Sequence, residues 1–78
     1  MKTDEKLILY FTSRYPKISK KKIKIYNLEE ILDSFAMLDL ILYIENEFKI
    51  KITNKDLSTN NFKDINNLQK LIDKKLKK

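Results

Sequence analysis

The chain has 78 residues, with 17 lysines and arginines against 11 aspartates and glutamates, for a formal net charge of +6. It contains no cysteine, histidine or glycine. A disulfide, a serine–histidine pair, a zinc site of the usual kind and a glycine-rich phosphate loop are therefore excluded. These exclusions argue against an enzyme and favour a binding or carrier module. A chain of this length is expected to form one domain, residues 1–78, with a simple core.

The sequence carries no signal for a membrane or for export. No apolar run approaches the roughly 20 residues that a membrane-spanning helix needs. The first residues, MKTDEKLILYF, carry acids where a signal peptide would be basic. We therefore expect a cytoplasmic protein without a membrane span, and we expect it to be a monomer.

The first predicted element is a helix from Thr3 to about Tyr15. Thr3 is a candidate N-cap, and Pro16 disfavours helix at the residue before it. A long connection follows, from Lys17 to Leu32. Its alternating segment Lys22–Ile25 fits a short strand, but a solvated loop that tucks its apolar side chains onto the core is favoured; these are Ile23, Ile25 and Leu28.

Three further helical segments follow. Asp33–Phe48 is the strongest helix, because it contains no glycine, proline or valine and ends where Lys49 to Ile52 alternate. Asn54–Leu57 fits one short helical turn. Asp64 caps a last helix that runs to about Lys77, with Phe62 just before it as a hydrophobic staple. Its apolar stripe is Ile65, Leu68, Ile72 and Leu76.

The Asp33–Phe48 helix has two apolar faces when its residues are placed 100° apart. One face is a core stripe of Met37, Leu40, Ile41, Ile44 and Phe48. The other is a second stripe of Phe35, Leu38 and Leu42, flanked by Asp39 and Glu45. Burial of both faces would draw these acids inward at a cost. An exposed strip that docks a partner is the favoured interpretation.

Charge is unevenly distributed along the chain. From Tyr26 to Phe48 there is no lysine or arginine, and six acids give this segment a charge of −6: Glu29, Glu30, Asp33, Asp39, Glu45 and Glu47. An acidic helix therefore lies inside an otherwise basic protein, which supports the interpretation of this helix as a docking surface.

Asp33 and Ser34 open the acidic helix. Taken alone, the pair fits plain N-capping, because side-chain oxygens of these residues accept the unpaired N–H groups of a first turn. A chemical role is also possible, since a phosphodiester on Ser34 would lie at the positive end of the helix dipole. The chain offers no base to activate Ser34, so a separate enzyme would have to modify it.

A family resemblance bears on this choice. The stretch LDSFAMLDLI, Leu32–Ile41, resembles the Asp-Ser-Leu motif and following helix of acyl carrier proteins. The stretch IENEF, Ile44–Phe48, followed by Ile50 and Ile52, is similar to the family's Leu-Glu-Glu-Glu-Phe and the isoleucine after it. Phe62, Ile65 and Leu68 resemble the start of its last helix.

The resemblance implies a four-helix bundle of acyl-carrier type with a very short third helix and a long first loop. It implies that Ser34 covalently receives 4'-phosphopantetheine from coenzyme A, with Asp33 as the helix cap beside it. Partner enzymes would then contact the second stripe together with Asp39, Glu45 and Glu47. Those partners are a phosphopantetheinyl transferase, an acyl- or aminoacyl-loading ligase or synthetase, and a downstream acyltransferase or synthase.

Several features differ from the usual family pattern. Family members are mostly acidic overall, often have glycine before the Asp-Ser pair, and carry leucine where Phe35 stands and a small residue where Tyr43 stands. These differences resemble specialised carriers, such as D-alanine carriers and the stand-alone carriers of dedicated biosynthetic clusters, more than the general fatty-acid carrier.

Two other functions compete with a carrier. A small basic nucleic-acid-binding domain would contact phosphates through a lysine-rich run of Lys17, Lys20, Lys21, Lys22 and Lys24. The acidic helix argues against it, because base edges are contacted mainly by Arg, Lys, Asn and Gln, so no nucleic-acid partner is expected. An unmodified interaction domain derived from a carrier is disfavoured because Ser34 is present.

Overall fold

Four α-helices and three short 3₁₀ helices make up the regular structure of residues 2–19 and 21–77, the part of the chain that the computed structural model describes. The α-helices are α1 (Thr3–Arg14), α2 (Ser34–Phe48), α3 (Asn54–Leu57) and α4 (Ile65–Leu76). The 3₁₀ helices are Ile23–Ile25, Leu28–Glu30 and Asn60–Phe62. The prediction of a small all-α bundle with a very short third helix and a long first connection is confirmed.

The buried apolar side chains form one core cluster, to which α1, α2 and α4 each contribute one face. Its fully buried members are Leu7, Phe11, Ile23, Leu28, Leu40, Ile44, Ile65, Leu68 and Ile72. Tyr10 of α1 lies over Tyr43 of α2, with ring centroids 4.5 Å apart. No helix in the described part of the chain is long and apolar enough to cross a bilayer.

The start of α1 differs from the prediction that Thr3 is its N-cap. The N-cap is Lys2, whose backbone N–H donates to the Glu5 carboxylate at 2.9 Å. Thr3 is already helical, and its hydroxyl donates instead to Asp73 of α4 at 2.8 Å. The prediction was wrong because Glu5 reaches back to satisfy the amide before Thr3, which begins the helix one residue earlier. The helix ends before Tyr15–Pro16, as predicted.

The long first connection folds into two 3₁₀ turns, and the Lys22–Ile25 strand does not form. Ile23 and Leu28 are buried in the core as predicted, but Ile25 is 69% exposed. The prediction for Ile25 was therefore wrong. With three residues per 3₁₀ turn, side chains two positions apart cannot face the same side. Burying Ile23 therefore turns Ile25 outward.

The helices α2 and α4 begin at their predicted caps, whereas the cap of α3, Thr53, was not predicted. Asp33, Thr53 and Asp64 each accept a backbone N–H from the first turn of α2, α3 and α4. Lys49, at φ 58°, ends α2 in the left-handed conformation that glycine usually takes at this position. Leu76, which the predicted stripe placed with the core, is 49% exposed, because it is the last residue of α4 and lies one turn beyond Ile72, the last buried residue of that helix.

Candidate functional site

The start of α2 is built by Asp33 and Ser34. Asp33 is the N-cap, and its Oδ1 accepts the N–H of Ala36 at 2.8 Å, while its carbonyl accepts the N–H of Met37 at 2.9 Å. Ser34 is the first helical residue and is exposed. The capping function therefore belongs to Asp33, and the Ser34 hydroxyl is accessible from solvent.

The electrostatics of this end of α2 suit an anion. The first amides of a helix lie ahead of its hydrogen-bond ladder, and the aligned peptide dipoles make this end positive. Ser34 and Phe35 supply those first amides. A phosphodiester attached to the Ser34 oxygen would lie in this favourable field.

The second apolar stripe of α2 is exposed. Phe35 is 84% exposed, Leu38 56% and Leu42 52%, whereas Leu40 and Ile44 on the opposite side are fully buried. We call Phe35, Leu38 and Leu42 the apolar strip. It begins beside Ser34 and runs along the outer side of the helix, so the interpretation in which both faces of α2 are buried does not hold.

Asp39, on one side of the apolar strip, is engaged by α1. Its Oδ2 accepts the Tyr10 hydroxyl and lies 3.3 Å from Nε of Arg14. The Arg14 guanidinium also lies over the Tyr10 ring, 4.0 Å from its centroid. Burial, and then the hydrogen bond to Asp39, raise the pKa of Tyr10 above its ordinary value. Tyr10 therefore donates at any physiological pH, and Asp39 stabilises the α1–α2 packing.

The other two predicted partner-binding acids also have partners within the chain. Glu47 lies 2.8 Å from Nζ of Lys6, whose hydrogen bond holds the pKa of the Glu47 carboxyl below its usual value. Oε2 of Glu45 accepts the N–H of Ile52 at 2.9 Å and so fixes the chain that leaves α2. The sequence places these acids on α2 but does not reveal that the chain itself engages all three.

Two acids that the sequence analysis counted only as charge lie just before the site. Glu29 and Glu30 are exposed in the turn Leu28–Glu30. The buried Leu28 anchors this turn, and the backbone N–H of Leu28 donates to the carbonyl of Lys63 at 2.7 Å. Within the described residues, no ion pair forms at Glu29 or Glu30. They are candidate partner contacts, and the absence of lysine and arginine from Tyr26 to Phe48 was the signal that could have identified them.

The lysine-rich run of the first connection is only partly free. Lys17, Lys21 and Lys22 are exposed, and Lys24 lies 3.3 Å from Asp4 of α1. Lys20, the remaining predicted phosphate contact, lies outside the described residues. Lys17, Lys21, Lys22 and Lys24 belong to a loop and to 3₁₀ turns, and none of these four lies on an α-helix that could enter a nucleic-acid groove.

Comparison with known proteins returned no match to a family model, to a curated protein or to a solved structure.

Proposed function

We propose that this chain is a carrier protein whose Ser34 accepts 4'-phosphopantetheine and so holds an acyl or aminoacyl cargo. The observation that carries the proposal is the juxtaposition at the start of α2. The exposed Ser34 directly follows Asp33, the N-cap of α2, and adjoins the exposed apolar strip. A plain cap would require neither the exposed hydroxyl of Ser34 nor an exposed phenylalanine at the next position.

The residues at the start of α2 fit an attached 4'-phosphopantetheine. The Ser34 oxygen would attack the pyrophosphate of coenzyme A, forming a phosphodiester and releasing adenosine bisphosphate, while the hydroxyl proton passes to a base of the transferase. The chain supplies no histidine for that step. The arm, once attached, would supply a thiol that holds cargo as a thioester. The chain's own residues then present that arm and dock its partners.

The family resemblance of Leu32–Ile52 supports the acyl-carrier type of bundle and suggests three kinds of partner. These are a phosphopantetheinyl transferase, an acyl- or aminoacyl-loading ligase, and a downstream acyltransferase or synthase. The cytoplasm is the compartment in which coenzyme A and such enzymes meet. The protein would act as the substrate of these enzymes and not as a catalyst.

The test is modification in vitro. The purified chain is incubated with coenzyme A and a broad-specificity transferase, and its intact mass is measured. We expect one added phosphopantetheine on the wild type and on Ser13→Ala, which removes another exposed helical serine. Ser34→Ala should gain nothing while keeping its helix content by circular dichroism. A wild type that stays unmodified with several competent transferases would overturn the proposal.

A further inference from the structure

A basic cleft lies between α3 and α4, away from the features used above. Its volume is about 570 Å³. Lys55 of α3 lines one side and Lys70 and Lys74 of α4 line the other, and the nearly buried Leu71 also belongs to the lining. Since Lys70 and Lys74 are four residues apart, they lie one helical turn from each other on the same face of α4.

Acidic side chains of the chain itself neutralise little of the positive charge of the cleft. Among the described residues of the lining the one acid is Asp56, which lies 2.8 Å from Nζ of Lys75. In the described part of the chain, Lys55, Lys70 and Lys74 form no ion pair. A second recess of about 360 Å³ shares Lys75 and adds Lys49 and Lys51. The basic surface therefore continues from α4 to the end of α2.

This surface and Ser34 belong to opposite ends of the bundle. Thr3, at the start of α1, bonds Asp73 near the end of α4, and Lys6 pairs with Glu47 near the end of α2. The last turns of α2 and α4 therefore meet at one end. Ser34 begins α2, whose 15 residues span about 22 Å at 1.5 Å per residue. A ligand in the cleft would leave Ser34 uncovered.

We propose that the α3–α4 cleft binds an acidic segment of a partner protein, with carboxylates spaced about one helical turn apart. Lysines on two walls complement such a segment from both sides, and the Lys70–Lys74 spacing matches acids four residues apart. The aliphatic stems of the lysines offer its side chains apolar contact around Leu71.

The cleft suits nucleic acid and a membrane less well. The described residues that line it include no aromatic ring for stacking bases and no arginine for bidentate contact with guanine. A recessed site also does not meet a flat lipid surface, which binds best to an apolar helix face with basic flanks. An acidic peptide can enter the cleft, and the opposite end of the bundle stays free for a second partner.

The experiment uses the full chain and a fluorescent peptide in which glutamate recurs at every fourth residue, with binding followed by anisotropy at about 0.1 M salt. The test variant is Lys70→Gln/Lys74→Gln. The matched control is Lys17→Gln/Lys21→Gln, which removes the same charge from exposed positions of the first connection. The amides that shift in NMR spectra on peptide binding should belong to residues 55–61 and 70–75.

We expect the cleft variant to bind the peptide at least about tenfold more weakly, and the control to change less than about threefold. Equal weakening of the two variants would mean that binding follows net charge, and would overturn the proposal. Tighter binding to a DNA duplex or to phosphatidylserine vesicles than to the peptide, lost in the cleft variant, would also overturn it. Ser34→Ala should bind the peptide like the wild type, so this result is independent of the proposed modification.

Discussion

Arg14 of α1 and Asp39 of α2 form an ion pair, with Nε 3.3 Å from Oδ2, on the same carboxylate oxygen that accepts the Tyr10 hydroxyl. Arg14 at the same time covers the Tyr10 ring. Two side chains of α1 therefore meet at one carboxylate of α2. The sequence predicts that Asp39 contacts partner proteins. In the structure, Asp39 also joins α1 to α2.

Asp39→Ala is expected to destabilise the protein. It removes the acceptor of the Tyr10 hydroxyl, whose residue is 5% exposed, and the partner of Arg14. Because Asp39 is itself half exposed, we expect a loss of about 1–2 kcal/mol in the free energy of unfolding, measured by urea titration. Glu30→Ala, at an exposed acid, should stay within about 0.5 kcal/mol. Equal effects of the two substitutions would contradict the role given to Asp39.

The charge of Asp39 in partner recognition can be separated from its role in the fold by Asp39→Asn. The amide oxygen still accepts from Tyr10, so helix content should be retained. If partner enzymes contact this charge, the rate of transferase modification should fall severalfold relative to the wild type. An unchanged rate would remove Asp39 from the docking surface.

Leu42 and Leu40 form a matched pair on opposite sides of α2. Leu40→Ala removes a fully buried side chain, so we expect a loss of about 2–5 kcal/mol in stability. Leu42→Ala removes one that is 52% exposed, and should change stability by less than about 1 kcal/mol. The apolar strip predicts the reverse order for function: Leu42→Ala should slow modification of Ser34. A normal rate for Leu42→Ala and Phe35→Ala together would show that the strip is not the docking surface.

The cap of α2 can be tested by two substitutions at Asp33. Asp33→Ala loses the bond to the Ala36 amide and should cost about 1 kcal/mol of stability. Asp33→Asn keeps a capping oxygen and should cost much less. The midpoints of thermal unfolding, followed by circular dichroism, measure both. If the two variants are equally destabilised, the charge of Asp33 and not its capping bond stabilises the helix.

Stability should fall as the pH is lowered, partly because of Asp56. The hydrogen bond from Lys75 lowers the pKa of the Asp56 carboxyl below its value in the unfolded chain. The stability that it contributes is therefore complete above the unfolded pKa near 4, and is lost as the pH falls through the lower folded pKa. Urea midpoints between about pH 6 and pH 2 should decline less steeply for Asp56→Asn than for the wild type. Glu30→Gln is the control and should decline like the wild type. If the urea midpoints of Asp56→Asn decline as steeply as those of the wild type, the role given to Asp56 is wrong.

Sequence patterns predict the helices well because their signals are local. Asp33 and Asp64 are capping residues directly before apolar runs of helical period, and both caps are confirmed. The one-turn helix Asn54–Leu57 is also confirmed. The patterns fail where a choice depends on neighbours in space. Thr3 bonds to Asp73, seventy positions away, and Ile25 faces outward because Ile23 fills the core.

The sequence by itself determined that α2 has two apolar faces, that Ser34 opens it and that its segment is free of lysine and arginine. Periodicity and composition carry this information in neighbouring residues. Only the tertiary structure decided that Phe35 is exposed and that Asp39, Glu45 and Glu47 have partners within the chain. It also decided that Lys55 meets Lys70 and Lys74 across one cleft. These relations join residues from different helices, and the packing of the helices, which no local pattern records, brings them together.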